Sequence, residues 1–249
     1  MKLKGPFISL LAIAAVLSTL LIYWFYFSPP KSFPTKSQLI KEINHSTPRA
    51  SVKIIQDTVH IDKGHVFVPY ISKDGQYGVS FWVWERHKWE MESLSTNGSP
   101  RIWKIDRNNP ASYYILWNLH PDDGVKDMDF YLIRERGYQG INGRMTYIPK
   151  IQMETKIALK KKSYGMMLMP DEWDAVMGSL IKGEKAKAPW SVFDSLTSNY
   201  QVYFGWIPYD QKDKVTVVKN SITGEGYTSG ANIDESRILS PSEIETPLE

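Results

Sequence analysis

Residues 150–160 read KIQMETKIALK. Ile151, Met153, Ile157 and Leu159 alternate with Lys150, Gln152, Glu154, Lys156 and Lys160, the period of two that suits a strand with one face on a core and the other in water. The same period puts Tyr77, Val79, Phe81 and Val83 on one side of QYGVSFWVW (76–84), and Tyr113, Ile115, Trp117 and Leu119 on one side of SYYILWNL (112–119). Further strands are predicted at 52–60, 65–71, 88–94, 101–106, 128–136, 144–148, 163–169, 200–208 and 214–219. The links carry turn residues: Lys73-Asp74-Gly75, Asn97-Gly98-Ser99-Pro100, Asn108-Asn109-Pro110 and Asp123-Gly124. Short strands so punctuated predict a mainly β fold, an antiparallel β-sandwich or barrel-like domain over 51–220.

One helix interrupts the strands. In PDEWDAVMGSLIKG (170–183), Trp173, Val176, Met177, Leu180 and Ile181 recur at helical spacing, with Asp171 as N-cap and Gly183 closing it. The polar EKAKAP (184–189) then leads to Trp190 and Phe193, and residues 221–249 read as a Gly/Ser-rich loop and a loosely ordered tail.

The N-terminus is of another kind. Pro6 to Phe27 carries no charge, and a run of about 20 apolar residues spans a bilayer core of about 30 Å as a helix. The expectation is a single-pass transmembrane helix over 6–27 after a short tail (1–5), with Tyr23, Trp24 and Tyr26 as an interfacial aromatic belt. The rival is a cleaved signal peptide, with Lys2 and Lys4 as its basic region and Ala12-Ile13-Ala14 as its small-residue triplet; the bulky residues at Tyr26 and Phe27 favour the uncleaved anchor. Lys2 and Lys4 on one side face Lys31, Lys36 and Lys41 on the other, so charge alone does not orient the helix. The short leading tail places the large domain outside the cytoplasm, in a cell membrane setting. Thr35 and Gln38 have capping-box spacing and Leu39, Ile40 and Ile43 make an apolar stripe, so 28–50 reads as a stalk with a short helix ending at Pro48.

The chain has 249 residues, 42% of them hydrophobic, with 30 Lys and Arg against 27 Asp and Glu. A charge balance this close to neutral gives no support to a nucleic-acid partner, which would want a basic face. There is no cysteine, which fits either redox compartment.

Residues 120–124, HPDDG, locally resemble the HPDDE motif of zinc-dependent sugar N-deacetylases. That resemblance implies His120 and Asp123 as metal ligands and Asp122 as base. Here Gly124 stands where that motif has Glu, and no histidine follows residue 120; a catalytic zinc takes three protein ligands and a water. As a local pattern, Pro121, Asp122, Asp123 and Gly124 spell a turn. His60 and His65 flank Lys63-Gly64 with Asp62 between them, a second sparse metal pattern. Glu90 and Glu92 would share a strand face about 7 Å apart, near Glu85, a separation within the range for glycoside hydrolysis; a solvated face balanced by Lys88 accounts for them equally. GYQGING (137–143) lies between strand-like runs, and so reads as a hairpin loop rather than a phosphate cradle. Lys160, Lys161 and Lys162 read as a charged strand end. No nucleophile motif is found.

Nine tryptophans and fourteen tyrosines remain. Trp82 and Trp84 share the face opposite Phe81 and Val83, so they form either a binding platform or one side of a central strand covered on both faces. These residues lead to a membrane-tethered, non-catalytic binding or accessory protein of the cell envelope. It would contact an envelope protein or wall polymer and need no cofactor. The alternative is an envelope hydrolase acting on a glycan through Glu90 and Glu92 or a metal near His120.

Overall fold

The computed structural model describes residues 4–27, 29–141, 144–159, 162–187, 202–228 and 232–246. Among them β3 (His65–Ser72), β4 (Tyr77–Glu85) and β5 (Lys88–Ser95) form an antiparallel meander. With β1 (Val52–Ile55), β2 (Val59–His60) and β14 (Gly226–Thr228) they make a first sheet, in which β4 is internal. A second sheet runs in the order β12 (Tyr164–Leu168), β7 (Tyr113–Asn118), β6 (Arg101–Lys104), β15 (Ile233–Glu235). A third runs β11 (Ile151–Ala158), β8 (Asp127–Arg134), β13 (Val202–Tyr209), β16 (Arg237–Ile238), its last pair parallel. A separate hairpin joins β9 (Gly137–Ile141) to β10 (Arg144–Ile148).

The mainly β fold of packed antiparallel sheets is as the alternation predicts. The second sheet is the middle layer, and its strands are apolar on both faces. Ile102, Ile115 and Trp117 meet Met128, Phe130 and Leu132 of the third sheet, while Trp103 and Leu116 meet Phe67, Val79 and Phe81 of the first. α3 (Asp171–Lys187) adds Trp173 and Met177 to the core it shares with the second and third sheets, Trp173 stacking on Phe130. The helix runs past Gly183, since Glu184, Lys185 and Ala186 are good helix formers. Trp190 and Phe193 lie outside the described residues.

Three expectations need correction. The 28–50 segment is no free stalk: in α2 (Lys36–Ser46), capped by the Thr35–Gln38 box, Leu39 and Ile43 are fully buried against Val66, Val68, Tyr70 and Trp82. The C-terminal part is ordered into β14, β15 and β16, which pair in turn with the first, second and third sheets; backbone pairing and buried partners offset the entropy that its Gly and Ser content costs. The 52–60 run breaks into two strands between Ile55 and Val59, and in 214–219 only Val215 bridges a strand, at Tyr209.

α1 (Lys4–Phe27) is the N-terminal helix. Its described side chains are continuous only from Ser9 to Leu21, and among the described residues no helix is long and apolar enough to cross a membrane.

A buried amide joins the layers. Asn118, at the end of β7, donates from Nδ2 to Tyr70 O (3.1 Å), Gly78 O (2.8 Å) and Gln56 Oε1 (2.8 Å). Gln56 Nε2 donates to Ser163 Oγ, which donates back to Asn118 Oδ1, closing a three-residue ring. Asn118→Ala removes these donated bonds together and leaves the Gln56 amide oxygen and the Ser163 hydroxyl without their ring partner, at about 2–4 kcal/mol; a correspondingly lower urea midpoint with an unchanged slope checks this.

Candidate functional site

The HPDDG segment folds as a turn. Pro121–Asp123 is a single 3₁₀ turn closed by Gly124 at φ 64°, and the His120 imidazole accepts from the Asp122 backbone N–H through Nδ1 (3.1 Å). Asp122 points to solvent, whereas Asp123 is buried. The Asp123 carboxylate accepts from the Lys219, Asn220 and Ser221 backbone N–H groups, the Asn220 amide and the Ser221 hydroxyl. His120, Asp122 and Asp123 are thus not brought together as ligands, and among the described residues no group of three or more His, Cys, Asp and Glu could hold a metal. Burial acts to raise the Asp123 pKa, yet bonds from the Ser221 hydroxyl and the three backbone donors outweigh it and hold the carboxyl below its ordinary value.

The other sequence candidates disperse too. His65 Nδ1 lies 2.9 Å from Asp62 and its ring meets Trp103, whereas His60 meets Phe33, so the two imidazoles lie on opposite faces of the first sheet. Glu92 is buried, accepting from Trp103 Nε1 (2.9 Å) and Asn232 Nδ2 (2.6 Å), while Glu90 pairs with Lys88. Glu92 is thus committed to holding the C-terminal segment. Gly137 and Gly140 lie in a β-hairpin strand; Gly143, Lys160 and Lys161 are outside the described residues.

Trp82 cannot be a platform. It is fully buried, with Nε1 donating to Ser80 Oγ (3.0 Å) and its ring packed under α2. Trp84 is half-buried against Trp89. The central-strand reading of β4 is the one the burial matches, because α2 supplies the cover on that face.

What sequence reasoning missed is an open edge. Among the described residues seven strands border the three sheets, and all but one are short, charged or covered, the usual protections against stray pairing; β2, paired only with β3, has two residues. β14, β15 and β16 are two or three residues long. β11 carries exposed Glu154 and Lys156. β1 is covered by α2, where Asn44 both donates to Val52 O (2.9 Å) and accepts from Val52 N (2.6 Å), and Lys36 Nζ reaches Ile55 O. β12, YGMML, has no charge and no proline, pairs only with β7 among the described strands, and exposes Met166 (42%) and Leu168 (45%).

Beside that edge lies a cavity of about 520 Å³, lined by Asp57, Trp117, Ile157, Lys162, Tyr164 and Met167 among others. Gly165 lets its floor form: a Cβ there would stand 2.3 Å from Trp117 Cζ2. Its polar corner is ordered, with Tyr164 OH donating to Asp57 (2.7 Å), the Lys162 ammonium 3.6 Å from the same carboxylate and 4.9 Å from the Tyr164 ring centre. The Tyr164 bond, with lesser help from Thr58 N–H and Lys162, holds the Asp57 carboxyl below its ordinary value. An apolar slot with a few fixed polar groups is the general form of a binding site.

No protein-family model, curated protein or solved structure matches this chain.

Asp123 makes a pH prediction. Its folded pKa lies below the unfolded value of about 3.9, so its contribution to stability is present above that pH and is lost as pH falls through the folded pKa. Asp123→Asn turns an amide toward N–H donors and should cost about 2 kcal/mol or more near neutrality. Urea midpoints of the two proteins should converge as the pH is lowered from 6 through 3.

Proposed function

We propose that this chain is a membrane-tethered, extracytoplasmic, non-catalytic binding or accessory protein of the cell envelope, and that β12 is its binding edge. The uncharged run from Pro6 to Phe27 serves as the single transmembrane anchor, and the sandwich of sheets is the receptor. The carrying observation is the unprotected β12 edge beside an apolar slot. An extended segment of an envelope protein laid along β12 would complete its backbone hydrogen bonds, while Met166, Leu168 and the slot take alternate side chains. A wall polymer would leave the edge N–H and C=O groups unmatched, so a protein partner is favoured. The glycan-hydrolase reading loses its residues to structural bonds at Glu92 and Asp123.

The test uses the full chain in its membrane, with a photoreactive residue at Leu168 and a control at Tyr147 on the exposed hairpin. The expected result is one protein adduct at 168, absent at 147, and lost when Met166→Lys charges the edge. If no adduct forms and the chain instead co-sediments with wall material regardless of Met166→Lys, the strand-docking reading fails.

A further inference from the structure

The end of α1 does not hang free of the β domain. The Trp24 ring stacks on His87 at 4.1 Å and 25°. His87 belongs to the two-residue turn between β4 and β5, where Glu85 pairs with Lys88. Around it Trp84 meets Trp89 at 5.6 Å, Phe33 meets Trp89 edge-on at 4.8 Å, and Trp89 Nε1 donates to Lys31 O (3.0 Å). The segment leaving α1 is thus fastened along the same hairpin that carries the turn.

We propose that the β4–β5 turn is a second membrane contact, seated in the phospholipid headgroup layer of the bilayer that α1 crosses. The proposal rests on the anchor reading of α1. If Pro6–Phe27 fills the hydrocarbon core, Trp24 sits near its boundary, where tryptophan is enriched. A ring stacked 4.1 Å from Trp24 shares that depth. The composition of the turn fits the headgroup layer: Glu85, Arg86 and Lys88 are exposed, with Trp84 and Trp89 half-buried behind them. Long basic side chains and indoles place apolar stems at the membrane boundary and polar ends among phosphates.

The backbone adds an independent observation. Arg86 and His87 both adopt left-handed angles, φ 49° and 65°. Asn-Gly is the relaxed choice for a two-residue hairpin of this kind, whereas here both positions keep large side chains. His87 is engaged by Trp24 and Trp84, and a large side chain at Arg86, which is exposed at the strained tip, is explained if it makes a contact outside the domain.

The chain lacks cysteine, so a single introduced thiol carries a fluorophore without competition. The full chain is reconstituted into vesicles of phosphatidylcholine and phosphatidylglycerol, with the fluorophore at Val16→Cys, Glu85→Cys or Tyr147→Cys. Quenching is compared between lipids with a nitroxide on the headgroup and on the mid-acyl chain. The expected result is loss of emission at 16 from the acyl nitroxide, at 85 from the headgroup nitroxide, and at 147 from neither. Quenching at 16 but not at 85 overturns this proposal and leaves the anchor standing. No quenching at 16 overturns the anchor and this proposal with it. Equal headgroup quenching at 85 and 147 also overturns it, since the domain would then lie on the lipid without using the turn.

Discussion

The buried amide of Asn118 is the constraint around which the layers close. A sheet covered on both faces leaves its polar groups no water, so every one must find a partner inside. Asn118 stands where β7 stops and the chain must turn away, and it supplies donors to carbonyls of β3 and β4 in the neighbouring sheet. Gln56 and Ser163 complete the ring from two other segments. The ring also accounts for the break between β1 and β2: Gln56 lies outside the strands and turns its side chain to Asn118. Hydrogen bonds that act as a closed set resist loss more than the same bonds taken singly, because each group orients the next.

A second constraint is ionic and lies at the opposite edge of the middle sheet. Arg101 and Lys104, side chains only 3% and 8% exposed, pair with Glu235 (2.7 Å) and Asp234 (2.6 Å). Buried cations are costly unless paired and hydrogen-bonded, so β6 needs the acids of β15. Arg101 also donates to Ser95 Oγ, tying the first sheet to the second. The C-terminal strands are short, and in isolation two or three residues of pairing would not overcome their ordering entropy. Charge pairs and the Asn232–Glu92 bond supply the difference. Arg49 and Glu225 repeat the arrangement on the surface, where solvent leaves such a pair little weight.

Elements whose apolar residues keep a strict period were legible in the sequence: β4, β7, β11 and α3 lie close to where alternation or helical spacing puts them. The turn at Pro121–Gly124 was legible because Pro and Gly fix backbone angles locally. What escaped depends on partners distant in the chain. Leu39 and Ile43 form the same stripe whether α2 is a stalk or a lid, and only the first sheet's open face decides. Residues 226–228 and 232–238 read as loose because no periodic core pattern marks them; β15 is held by Arg101, Lys104 and Glu92, more than a hundred positions earlier. Trp82 and Trp84 are identical to a pattern of two, yet α2 covers the first fully and the second in part. β12 could be read as an uncharged strand, but a strand's place at a sheet edge is a property of topology alone.

An open edge poses a problem of self-pairing, and the membrane tether proposed above would sharpen it by crowding copies into two dimensions. The surroundings of β12 bear on it. The slot is flanked by Lys156 and Lys162 against Asp57, whose carboxylate already accepts from Tyr164 and Thr58 and lies near Lys162. Two copies meeting edge to edge would bring these solvent-exposed lysines near one another, a weak repulsion that salt screens. A strand bearing acidic side chains would meet the same lysines favourably. On the strand-docking proposal, the charges beside the edge would favour an acidic partner strand over a second copy, repulsion adding a small margin to fit.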